Sequence, residues 1–291
     1  MPPVTSRTAA KILHVLPRER ITRLVGRVAM AHVPKFLLDP VLGVYSRAYA
    51  VNLDEAVVPP EGFASFNEFC TRRLREGVHV IDDRPDVIVS PADGRLDDDG
   101  PIDRDARFLV KGQTYDVATL LGSAEDAKTY EGGHYAVVYL SPRDYHCVHS
   151  PVAGTVRAVR HIPGSLYPVN ELGVKHVPLL FARNERVVVS IDTEDFGTVA
   201  VVFVGAFVVG QIRLAFDAPP RPPHGGEVAY RAYDPSTAPR VERGSDLGAF
   251  LLGSTVVIVL PPAARGHWER AALPRPAPVR VGQAVAHRTE A

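Results

Sequence analysis

Short runs of β-branched and aromatic residues, each closed by a turn signal, constrain this chain more than any other feature. From residue 86 to residue 260 they follow one another as "DVIVSPADGRL", "HYAVVYL", "HSPVAGTVRAV", "ERVVVSIDT", "GTVAVVFVGAFVVGQIRLAF" and "STVVIVL". Runs of this kind, regularly spaced, predict strands joined mainly as antiparallel neighbours. Two of them, "SPADGRL" and "SPVAGTV", share the order Ser-Pro, turn, Gly, strand. The prolines gathered at 218–223 and 261–277 predict loops. The fold class expected is α+β, a mostly antiparallel β domain with barrel-sandwich-like strands, preceded by N-terminal amphipathic helices.

Those helices are read upstream of residue 60. Between Arg20 and Val33, the residues Ile21, Leu24, Val25, Val28, Ala29 and His32 recur at the i, i+3, i+4, i+7 spacing of one helical face, with Arg20, Arg23 and Arg27 on another. Pro34 closes this helix. Asp39 as N-cap, with Pro40 at the first helical position, predicts a second helix over "DPVLGVYSRAYAV". Arg7, Lys11, Arg18, Arg20, Arg23, Arg27 and Lys35 stand against Glu19 and Asp39 in residues 1–40, so this end is basic. A basic amphipathic pair fits a membrane surface. A helical cap on the β domain and an Arg-rich transit peptide are the other readings. A further short helix is predicted in "FASFNEFCTRRL". The division expected is a membrane-docking helical region over 1–60 and a β-rich catalytic domain over 61–291.

Over the whole chain Lys plus Arg equals Asp plus Glu, 33 each, which argues against a general nucleic-acid binder. Cys70 and Cys147 are too few for a disulfide framework and suit a reducing compartment. No signal peptide is visible. The apolar run 199–210 falls short of the roughly 18–20 residues a spanning helix needs.

Three places carry chemistry-bearing side chains. Asp93 sits at a turn in "VSPADGRL", His146 and His149 in "SPRDYHCVHSP", and Ser254 in "GAFLLGSTVVIVL". An acid, a histidine and a serine can converge as orienting group, base and nucleophile, although Asp before Gly is also an ordinary turn pair. His146, Cys147 and His149 could suit a metal, but no second ligand pair at metal-site spacing accompanies them, and no metal is expected. The elbow of ordinary serine hydrolases needs Gly two residues either side of the serine; Leu252 and Val256 occupy those positions. Gly253, Ser254 and Thr255 interrupt an otherwise apolar strand, a pattern also read as a strand edge with a turn.

Around that interruption, "GAFLLGST" resembles the self-cleavage site of the phosphatidylserine decarboxylases, pyruvoyl-dependent enzymes. "SFNEFCTRRL", "SPADG", "KGQTYDVATLLG", "LSPRDYHCVHSP", "PGSLYPVN", "LFARNERV", "VGAFVVGQI" and "VRVGQAVA" are similar to that family in the same order, from about residue 10 to the C-terminus. Cys147 departs from the family pattern, which has Arg there. The resemblance implies that Ser254 attacks the carbonyl of Gly253, that the ester eliminates to cut the chain into 1–253 and 254–291, and that Ser254 becomes a covalent pyruvoyl cofactor. Gly253, lacking Cβ, admits the bent backbone this attack requires. By the same resemblance His149 is the base and Asp93 orients it. Thr255 is a candidate donor to the oxyanion. The pyruvoyl group would form a Schiff base with phosphatidylserine and take up the electrons released with CO₂, giving phosphatidylethanolamine, and His146 is assigned the return of a proton to the α-carbon. The resemblance further implies a peripheral protein on the cytoplasmic face of a bacterial cell membrane, working as a homodimer of cleaved protomers.

Two other classes share features of the sequence. Lipoyl- and biotinyl-type carriers have strands like "SPVAGTVRAV" and "VRVGQAVA", but they display a lysine on a tight hairpin, which the sequence reading does not find. A structural membrane-surface protein would keep the fold without cleavage.

Overall fold

The longest apolar runs form the middle of the largest sheet. In the computed structural model, which describes residues 18–207, 212–220, 226–250 and 254–289, the strands Gly197–Val204 and Thr255–Leu260 lie side by side and antiparallel. His134–Tyr139 flanks Thr255–Leu260 on its other side. The sheet continues through Gly94–Pro101 to Ala277–Val279 at one end, and through Arg186–Thr193 and Gly154–Ile162 to Ala229–Ala232 at the other. All six residues of Thr255–Leu260 are buried. A strand covered on both faces has no polar side to present, which is why this run reads as continuously apolar and not as an alternation. Short helices at Val117–Leu121 and Leu180–Arg183 add Leu120, Leu121, Leu180 and Phe181 to the same core. All pairings between named strands are antiparallel, so with its short helices the chain is α+β.

At the N-terminal end, helices Arg18–Met30 and Lys35–Tyr49 precede the short helix Phe66–Cys70. Ser65 caps this last helix by accepting from the Glu68 amide, while the Glu68 carboxylate accepts from Ala64 N at 2.5 Å. Leu38, Leu42, Phe63, Phe69 and Cys70 form a second small core here, and the Tyr45 hydroxyl reaches the Pro142 carbonyl at 2.9 Å. Leu24, Val28, Phe36, Leu37, Val41 and Val44 stay exposed, each by more than half.

Three local expectations are corrected. The second helix begins at Lys35 behind Pro34, placing Asp39 and Pro40 inside it and not at its start; Pro34 supplies the break without a side-chain cap. Residues 261–277 are not all loop, because His267–Arg270 adds an edge strand alongside Ala284–Thr289. A lysine does stand on a tight hairpin: Lys111 and Gly112, both with positive φ, join Arg107–Val110 to Gln113–Asp116. Its ammonium is held by Asp97 at 2.7 Å and its amide by Asp98 at 3.0 Å, so it is tied to the neighbouring strand.

Candidate active site

Ser254 enters the central strand. Its amide and carbonyl exchange hydrogen bonds with Leu140, at 3.2 and 2.8 Å, extending the ladder in which Thr255 faces Tyr139. The side chain is fully buried, and its hydroxyl donates to the Val204 carbonyl on the other flanking strand. Beside it, the Thr255 hydroxyl is buried without a partner among the described residues, a condition that costs about 1–3 kcal/mol unless an acceptor comes to it. Gly253 lies outside the described residues.

The segment after Leu140 turns sharply because the Asp144 carboxylate accepts from both the amide and the hydroxyl of Ser141, each at 2.7 Å. This turn brings His146 back onto the Ser141 carbonyl, 3.0 Å from Nε2. A carbonyl only accepts, so Nε2 carries the hydrogen and Nδ1 holds a lone pair. That Nδ1 is buried and has no partner among the described residues. Burial pushes the His146 imidazole down to about 4; the Ser141 bond opposes this and the Arg72 charge adds to it. His146 is therefore a neutral base near neutral pH. Its own carbonyl accepts from the Phe250 amide at 3.0 Å.

His149 lies on the strand Cys147–His149, which pairs with Asp246–Phe250. Its Nδ1 faces the Gly244 carbonyl at 2.8 Å, with Asp246 at 3.5 Å, and its Nε2 faces the Tyr145 hydroxyl at 3.3 Å. The Gly244 bond fixes the hydrogen on Nδ1 and leaves Nε2 as the basic nitrogen. Burial is the largest cause of its lowered pKa, outweighing the Gly244 bond and the charge of Asp246, with His79 also lowering it.

Asp93 does not bond His149. Its Oδ1 accepts from His79 Nε2 and from the Val281 amide, both at 2.8 Å. His79 in turn meets His149 edge to face, with ring centres 5.8 Å apart. The position of Asp93 depends on its neighbour: a Cβ on Gly94 would come within 2.3 Å of the Tyr139 carbonyl, so only glycine lets this strand approach so closely. Among the described residues, no hydrogen bond joins Ser254 to His149 or to Asp93. The structure thus gathers Asp93, His79, His149 and Tyr145 in one group, while His146 is tied through Ser141 to the segment that pairs with Ser254.

His79 and Tyr145 escaped the sequence reading. Tyr145 lies within the segment already singled out, four residues before His149; His79, in "GVHVID", has no local pattern that marks it. Cys147 offers no nucleophile: burial raises its thiol to about 11, and Sγ sits 3.8 Å from the Thr71 carbonyl. Among the described residues no three His, Cys, Asp or Glu side chains converge as metal ligands, and no helix is long and apolar enough to cross a membrane. A cleft of about 460 Å³ opens against the Asp93 group, lined in part by Arg72, Asp93, Asp144, Tyr145 and Arg280.

A family described as phosphatidylserine decarboxylase matches residues 66–287. A phosphatidylserine decarboxylase proenzyme of Azotobacter vinelandii is 40% identical over 276 residues, covering 94% of this chain and 95% of the relative. Proenzymes of the same name from Stenotrophomonas maltophilia and Bordetella pertussis are 40% and 41% identical, each over 94% of this chain and over 97% and 92% of their own lengths.

Proposed function

The chain belongs to the phosphatidylserine decarboxylase family, and from that premise we propose that it cleaves itself between Gly253 and Ser254 and then decarboxylates phosphatidylserine to phosphatidylethanolamine. The observation that carries this reading is Ser254 itself. Its buried hydroxyl stands at the entry of the central strand, next to a buried Thr255 hydroxyl that lacks an acceptor among the described residues.

Attack on the preceding carbonyl requires the Ser254 hydroxyl to leave Val204. Its proton passes to His149, whose Nε2 is free of hydrogen and whose Nδ1–H is held by Gly244 and Asp246. Asp93 acts on this base through His79. Thr255 donates to the oxyanion. The N–C bond gives way to an ester, β-elimination releases the Gly253 carboxylate, and hydrolysis of the resulting dehydroalanine expels ammonia.

A pyruvoyl group formed at position 254 fits these residues, because its carbonyl oxygen would accept from the Thr255 hydroxyl, which is buried without a partner among the described residues. When present, that group supplies an electron sink for the bond pair released with CO₂. His146 takes up a proton at Nδ1 as the substrate amine binds and delivers it to the α-carbon after CO₂ has left. The exposed apolar residues of the first two helices support a peripheral seat on a membrane surface, and the reading includes a homodimer of cleaved protomers.

Purified protein supplied with phosphatidylserine in mixed micelles tests the reading by phosphatidylethanolamine formed. Borohydride with substrate abolishes the activity and chelators leave it intact. Activity lost to a chelator and restored by a metal ion counts against the proposal.

A further inference from the structure

The cleft beside Asp93 contains a charge with no ion-pair partner among the described residues. Arg72, just beyond the helix Phe66–Cys70, is only 6% exposed. Its guanidinium gives one hydrogen bond, to the Phe69 carbonyl at 3.3 Å, and lies over the Phe69 ring. Among the described residues Nε is buried without a partner, and no carboxylate comes within ion-pair distance of the guanidinium. The other charges of the cleft are engaged. Arg280 is paired with Glu55 at 2.7 Å, Asp93 is bound by His79 and Val281, and Asp144 by Ser141. Arg143, its side chain 64% exposed, lies 3.6 Å from Asp144. A buried guanidinium without a counter-ion is costly, and one lining a cleft of ligand size marks where an anion belongs.

We propose that Arg72 binds the phosphodiester of the substrate headgroup; the inference rests on the decarboxylase reading and assigns its specificity. The substrate offers two anions. A carboxylate about to leave as CO₂ would be stabilised by a guanidinium before reaction more than in the transition state, which slows the step. The phosphodiester keeps its charge throughout, and its paired oxygens match the guanidinium fork. Arg72 is then a specificity residue, holding the headgroup while the amine reacts elsewhere.

Kinetics on the self-cleaved protein test this with Arg72→Met and Arg72→Lys. Arg72→Met still cleaves itself and keeps its melting temperature, since it removes an unpaired buried charge. Its KM for phosphatidylserine and the inhibition constant of phosphatidylethanolamine rise by the same factor, about tenfold or more, and Arg72→Lys falls between. An unchanged KM overturns the proposal. So does a raised KM with unchanged product inhibition, because the product retains the phosphate and lacks the carboxylate. A second arm needs no turnover: glycerophosphoethanolamine is titrated into full-length Ser254→Ala protein with and without Arg72→Met. Weaker binding on loss of Arg72 supports the assignment and equal binding overturns it. Wild-type protein that forms no phosphatidylethanolamine counts against the decarboxylase reading, while this headgroup arm still decides Arg72.

Discussion

His79 Nε2 lies 2.8 Å from the Asp93 carboxylate, and the same imidazole stands edge-on to His149. The acid therefore reaches the proposed base through an intermediary ring. Removing His149 should slow self-cleavage by about 10²-fold or more, the usual share of a positioned base. Asp93→Asn and His79→Ala should slow it less, and the double variant should be no slower than the worse single one. His146→Ala should still split yet form little phosphatidylethanolamine. Gel time courses beside product assays, with melting temperatures for each variant, check this division. A His146 variant that fails to cleave, or a His149 variant that cleaves normally, refutes it.

The depressed pKa of His149 predicts a pH profile for the proposed self-cleavage. An ordinary histidine is half protonated near pH 6.5, whereas His149, its pKa lowered by burial, is more neutral than protonated there. The self-cleavage rate should fall to half its plateau at a pH below 6.5; a half-maximal rate at or above 6.5 is the contrary result. His146 acts on stability in the same direction. Unfolded it binds a proton near 6.5 and folded only near 4, so its contribution is constant above 6.5. It is lost as pH falls from 6.5 to 4, on the order of 3 kcal/mol. Urea midpoints across that range should fall, and His146→Gln should flatten the slope.

A buried carboxylate would link the two products of the proposed cleavage. Asp99, on Gly94–Pro101, accepts from Arg270 at 3.0 Å and from Arg275 at 2.9 Å, both on the C-terminal piece. Burial alone would raise its pKa, but His134, Arg275 and Arg270 outweigh it and hold the carboxyl at about 2. Its stabilisation is complete above the ordinary carboxylate pKa and fades as pH falls toward 2. Asp99→Ala strands the Arg275 guanidinium, whose side chain is 11% exposed, and should destabilise the cleaved protein by about 3–5 kcal/mol. Arg270, its side chain 53% exposed, adds little. An unchanged urea midpoint would mean that sheet pairing alone holds the pieces.

Membrane attachment is expected from the exposed Leu24, Val28, Phe36, Leu37, Val41 and Val44 together with basic side chains. Salt should weaken sedimentation with anionic vesicles without abolishing it. A folded chain lacking residues 11–50 that sediments as well as the whole protein would favour the helical-cap reading; residues 11–17 lie outside the described structure.

The strands were legible because β-branched runs such as Val199–Val204 and Thr255–Leu260 state their burial in their composition. Ser254, Asp93, His146 and His149 are candidates that the family resemblance singles out. Their partners were not legible: the Asp93–His79 bond and the isolation of Arg72 arise when segments 14 and 21 residues upstream of Asp93 fold against its turn. The helix start at Lys35 was missed for a local reason, since Asp-Pro signals a helix N-terminus whether or not a preceding turn packs as helix.

Intact mass under denaturing conditions tests the central claim most directly. Wild-type protein should give two species, residues 1–253 and residues 254–291, the second lighter than its sequence by one ammonia and without a free N-terminal amine, while Ser254→Ala gives one full-length chain. A single uncut chain from the wild type, or a cleaved Ser254→Ala product, would contradict the account.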